Sequence, residues 1–137
     1  MCKKVLAALL TLLLLLVACG GGEAGTAPDS GLAGDPVRGE KLYKQTTIGS
    51  ANAPGCNTCH SLEPGVTLVG PSHAGIAPKA EKAVAGKSAE EYLKESLIDP
   101  DSEVTEGFPP GVMYKNYGKD LTEQEIVDLV TFLMTQK

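Results

Sequence analysis

The tightest constraint on this 137-residue chain is the run CNTCH at residues 56–60, which sets two thiols and an imidazole almost side by side. Several chemistries use part of that arrangement. A redox dithiol uses C-x-x-C, but it sits at a helix N-terminus near a βαβ unit, and no strand pattern is legible in this sequence. A structural zinc site needs four ligands, commonly as two pairs. Here the remaining candidates are His73 and scattered acids. A plain disulfide would use Cys56 and Cys59 and leave His60 idle. The compartment in which the motif works helps to choose among these.

The N-terminus, MCKKVLAALLTLLLLLVACGGG, has Lys3 and Lys4 ahead of fourteen residues, 5–18, that are apolar except for Thr11. A membrane-spanning helix needs roughly twenty. A short apolar run behind a basic start is the grammar of an export signal. It ends LVAC, which resembles the bacterial lipobox, in which the cysteine receives lipid and becomes the new N-terminus. Residues 1–18 therefore read as a lipoprotein signal peptide and Cys19 as the lipidation site. Stable anchoring by acyl chains takes more than one chain. The expected location is the outer, periplasmic face of the cytoplasmic membrane. Loss of Lys3 and Lys4 takes the formal charge from −5 to −7. That balance argues against nucleic acid as a partner and favours a docking partner with a basic face.

Residues 19–34 are rich in Gly and Ala without apolar periodicity and read as a flexible tether. The folded domain is expected over 35–137. Asp35 and Pro36 suit the start of a helix in which Gly39 would permit close approach of another helix. Residues 62–86 carry repeated Pro and Gly and read mostly as loop, with a short turn after Pro78. Ser88 with Glu91 and Thr122 with Glu125 have capping-box spacing. Each opens a helix, the second marked by Ile126, Leu129, Val130 and Leu133 at helical intervals. The expectation is an all-α domain of about three helices separated by long loops. Such loops are uncommon in compact domains unless they wrap something other than protein. With no Trp and 4% aromatic residues, a buried cofactor would also supply missing core.

C-x-x-C-H is the attachment pattern of c-type haem. Two thiols add to two vinyl groups on one porphyrin edge, and the next residue, His60, falls beneath the iron. Haem c, one per chain, is therefore the expected cofactor. The sixth ligand decides the task, because an open iron binds gas or peroxide and a filled one moves electrons. Met113 lies in the Pro/Gly-rich loop FPPGVMYKNYG, far from His60 in sequence, and can approach the opposite face. Met with His ligation raises the potential. His73 is the rival. It follows His60 by thirteen residues, a connection that keeps it on the His60 side, where it would line the pocket.

In order, GDPVRGEKLY, CNTCH, VGPSHAGIA, GFPPGVM and LTEQEIVDLVTFL resemble the segments of a class I cytochrome c. The resemblance implies that the Pro71 carbonyl accepts the hydrogen bond of His60, that Met113 is the second iron ligand, and that Leu129 and Phe132 cross Gly39. Two positions depart from the pattern. Tyr114 follows Met113 where many relatives have proline, and His73 stands where relatives usually have an apolar residue. The stretch AEEYLKESLIDPDSEVTEGFPPGVM is similar to cytochrome c domains of bacterial oxidases and to the lipid-anchored mono-haem subunit of alternative complex III. That similarity implies a one-electron carrier, not an enzyme, working with other cytochrome subunits of a quinol-oxidising complex. A free-standing tethered shuttle and a haem-based sensor or peroxidase-like protein are the alternative readings.

Overall fold

The computed structural model describes residues 31–137. The expectations for residues 1–18, for Cys19 and for most of the tether lie outside the described residues. Among the described residues five α-helices carry the fold: α1 (Pro36–Tyr43), α2 (Ile76–Ala83), α3 (Ala89–Ile98), α4 (Tyr117–Asp120) and α5 (Glu123–Met134). A single 3₁₀ turn, Cys56–Thr58, opens the thiol motif.

α1 begins where Asp35 accepts hydrogen bonds from the N–H groups of Val37 and Arg38, with Pro36 at the first helical position. α3 and α5 each start with a complete capping box, Ser88 with Glu91 and Thr122 with Glu125. Each box satisfies backbone donors that a helix start leaves unpaired. α1 lies across α5, which also packs against α3, and α3 against α2. Tyr43 on α1 and Leu129 on α5 are fully buried at the centre, with Phe132, Leu133, Leu93 and Leu97 around them.

Gly39 makes the α1–α5 crossing possible. A Cβ there would lie 2.0 Å from the Asp128 carbonyl oxygen and 2.7 Å from the Phe132 Cβ. Beside it, Asp128 is 3% exposed. Its carboxylate accepts from the Asp35 N–H, the Arg38 guanidinium and the Gln124 amide. The pairing with Arg38 holds this carboxyl below the usual carboxylate range. Gln124 also donates to the Ala33 carbonyl, so contact with α5 begins two residues ahead of the expected domain start. Gly39→Ala should cost about 2 kcal/mol, because forcing the helices apart costs about 3 kcal/mol and alanine returns about 1 kcal/mol of helix propensity. Urea unfolding of the haem-loaded protein would measure it, and an unchanged midpoint would contradict the close-approach role.

Three features differ from the sequence-based expectation. Five helices replace three. Residues 76–83, expected as loop and turn, form α2. Pro78 is tolerated there because it sits in the first turn, where N–H groups have no intrahelical partner. Ala77 and Ala80, 2% and 0% exposed, are its buried face, and so small a face gives a weak periodic signal. Two short extended segments, Thr47–Ile48 and Ala53–Pro54, also pair antiparallel. Two residues each is too short to leave an alternating pattern.

Candidate functional site

The chain reaches the thiol motif through Gly55, whose N–H bonds the Thr46 carbonyl at 2.8 Å. A Cβ on Gly55 would lie 1.7 Å from the Gln45 carbonyl oxygen, so only glycine lets the chain pass this close to the end of α1. Cys56 and Cys59 are both free thiols, the first buried and the second half-buried. Burial pushes the Cys56 thiol up to about 12. A redox dithiol needs the opposite, a thiol lowered toward neutrality. This environment therefore argues against disulfide-exchange chemistry.

His60 has one defined tautomer. Its Nδ1 lies 2.9 Å from the Pro71 carbonyl oxygen. A carbonyl oxygen can only accept, so Nδ1 carries the proton and Nε2 carries the free lone pair. Burial lowers the His60 pKa, with the Pro71 hydrogen bond opposing it, and the neutral ring is the form that ligates metal. Gly70 leaves room for the ring, since a Cβ there would lie 2.4 Å from the His60 Cε1.

Cys56, Cys59, His60, Pro71, His73 and Met113 all line one cavity of about 300 Å³, walled on its apolar side by Leu93, Leu97, Leu129 and Leu133. The 3₁₀ turn and the following loop supply the first three. The stretch between α3 and α4 supplies Met113. That stretch is fastened on both sides of the methionine. Asp101 accepts from the Gly111 N–H at 2.8 Å and pairs with Lys115. Tyr114 donates to Asp120 on α4 at 2.5 Å and meets the Tyr117 ring edge-on at 5.0 Å. Side-chain struts thus supply the stiffness that a proline after Met113 would have given. Asp101, Asp120 and Tyr117 were not singled out in the sequence. An acid paired across ten or more residues of loop leaves no periodic mark.

The donor set fits an iron porphyrin. Two unoxidised thiols could bind two vinyl carbons, a neutral imidazole could face the iron, and a thioether borders the same apolar space. Among the described residues no group of three or more His, Cys, Asp and Glu side chains could hold a bare metal ion. A mostly helical fold around such a cavity defines a class I c-type cytochrome. Residues 36–137 match the Cytochrome c family, and the chain belongs to that family. It binds haem c covalently, and its activity is electron transfer. Comparison with curated proteins gave no match.

Proposed function

We propose that this cytochrome is a mono-haem, one-electron carrier anchored by lipid on Cys19 at the outer face of the cytoplasmic membrane. It would serve as a subunit of a quinol-oxidising respiratory or photosynthetic complex, similar to alternative complex III. Cys56 and Cys59 hold the haem, and His60 and Met113 ligate its iron. The observation that carries the carrier reading is that His60 and Met113 line one cavity; ligation by both would leave the iron no open position for a substrate.

When bound, the haem iron takes up and returns one electron at a time. The chain's residues hold that iron in one setting. The His60–Pro71 hydrogen bond fixes the ring and raises its basicity. The fastened loop keeps Met113 in place. The leucine walls keep water away, and an apolar setting with Met/His ligation raises the potential, as suits an acceptor downstream of quinol.

The lipobox-like LVAC at residues 16–19 supports the anchor. Cys19→Ser should leave the mature chain unlabelled by a radioactive fatty acid and release it from membranes. Equal labelling of variant and wild type would end the lipidation reading. Co-purification of the wild-type protein from detergent extracts tests complex membership. Multihaem or quinol-oxidising subunits in stable association are expected, whereas a lone monomer would favour a tethered shuttle.

A further inference from the structure

Residues 70–73 run back along the thiol motif. The Gly70 N–H bonds the Cys59 carbonyl at 2.9 Å and the His73 N–H bonds the Ser61 carbonyl at 2.8 Å. The result is two imidazoles face to face, with His60 and His73 centroids 4.0 Å apart and planes within 13°. Tyr43 joins them. Its hydroxyl lies 2.9 Å from the His60 carbonyl oxygen and 3.2 Å from the His73 Nδ1. The Tyr43 ring is itself wedged against Phe132 at 5.3 Å, so the hydroxyl is held in place by the α1–α5 crossing.

The donors and acceptors assign the protons. The His60 carbonyl can only accept, so it takes the single Tyr43 hydroxyl proton. The phenol oxygen is then the acceptor toward His73, and the His73 Nδ1 must be the donor. A neutral imidazole protonated on Nδ1 has its lone pair on Nε2. That nitrogen has no hydrogen bond to a described residue, and among the described residues no side-chain nitrogen or oxygen sealed from open space lacks a partner. His73 lines the cavity of about 300 Å³ that His60 and Met113 also line, and its Nε2 is the nitrogen free to face that space.

We propose that His73 is a potential-setting residue. Tyr43 locks its tautomer so that the negative end of the imidazole dipole faces the haem, and its stacked ring holds the orientation of His60. This rests on the reading that the haem occupies the cavity with His60 as ligand. A lone pair turned toward the haem from an apolar wall would favour the ferric, more positive state, and poor screening there would strengthen it. A typical relative, with an apolar residue here, would lack this restraint.

Redox titration and nitrogen-15 NMR of the haem-loaded protein test the proposal. In the reduced, diamagnetic wild type the His73 proton should be found on Nδ1. His73→Leu should shift the ferric–ferrous equilibrium about tenfold toward ferrous, which is about 59 mV for a one-electron couple. His73→Phe keeps a stacked ring without a lone pair and should shift it in the same direction. Tyr43→Phe should shift it less, and should add nothing in the His73→Leu background. A proton on Nε2 in the wild type would overturn the assignment. So would a His73→Phe protein with the wild-type potential, which would mean the ring matters only as packing. With haem attached and the potential unmoved, only the role of His73 fails. A wild-type protein carrying no covalent haem would overturn the cofactor site and this proposal together.

Discussion

A chain with both Cys56 and Cys59 replaced by alanine is expected to carry no covalent haem and to lose its cooperative fold. Among the described residues these thiols are the groups lining the cavity that could bond to vinyl carbons. Without that bond the apolar space has no fixed occupant. At roughly 24 cal/mol per Å³ of unfilled cavity, about 300 Å³ corresponds to a loss of about 7 kcal/mol. An ordinary domain has only about 5–15 kcal/mol of stability in total, so the empty form stands near the edge of unfolding. Haem staining after denaturing electrophoresis and far-ultraviolet circular dichroism read the two effects separately. Haem that stays with the denatured double variant through acid–acetone extraction would refute the attachment assignment. A single change, Cys56→Ala or Cys59→Ala, should leave one thioether and an intermediate stability.

Met113→Ala should erase the near-infrared band of thioether-ligated ferric haem and let carbon monoxide bind the reduced protein. It should also lower the potential by on the order of 0.1–0.3 V, part of the roughly 0.8 V that axial ligands span. The loop around Met113 is tied by Asp101 and Tyr114, so the rest of the site should survive the change. His73→Ala should leave the band in place, because His73 is stacked on His60 and cannot serve the opposite face of the same haem. If His73→Ala opened the iron and Met113→Ala did not, the ligands would be two histidines and the protein would sit lower in potential than a quinol acceptor requires. Loosening the struts gives a milder version of the same phenotype. Tyr114→Phe should weaken the near-infrared band without abolishing it.

The cofactor and the helix starts were legible because they are local. CNTCH spans five residues, and its spacing is set by the porphyrin edge. The two capping boxes are four-residue signals whose chemistry needs no tertiary partner. Asp35 and Pro36 mark the start of α1 for the same reason. The long loops, odd in a small domain, were themselves informative, since they lie around the cavity. The chain's resemblance to class I cytochromes c rested on the order of these pieces, and that order survives as the α1–α5 crossing at Gly39.

Other features depend on chain segments far apart in sequence. α2 was hidden because its buried face is two alanines and its proline looks like a breaker until its place in the first turn is known. The Asp128 clamp joins residues 90 or more positions apart, and no local pattern announces it. The stiffness of the Met113 loop comes from Asp101 and Asp120, acids that in sequence look like ordinary surface charge. His73 shows the division most clearly. The sequence by itself determined that a second histidine stands close behind the attachment motif, on a connection too short to leave the His60 side. Only the tertiary structure decided that it stacks on His60 and that Tyr43, delivered by α1, brings its hydroxyl to the His73 Nδ1. A hydrogen bond between α1 and a loop thirty residues away depends on how the helices cross, and that crossing is set by packing across the whole domain.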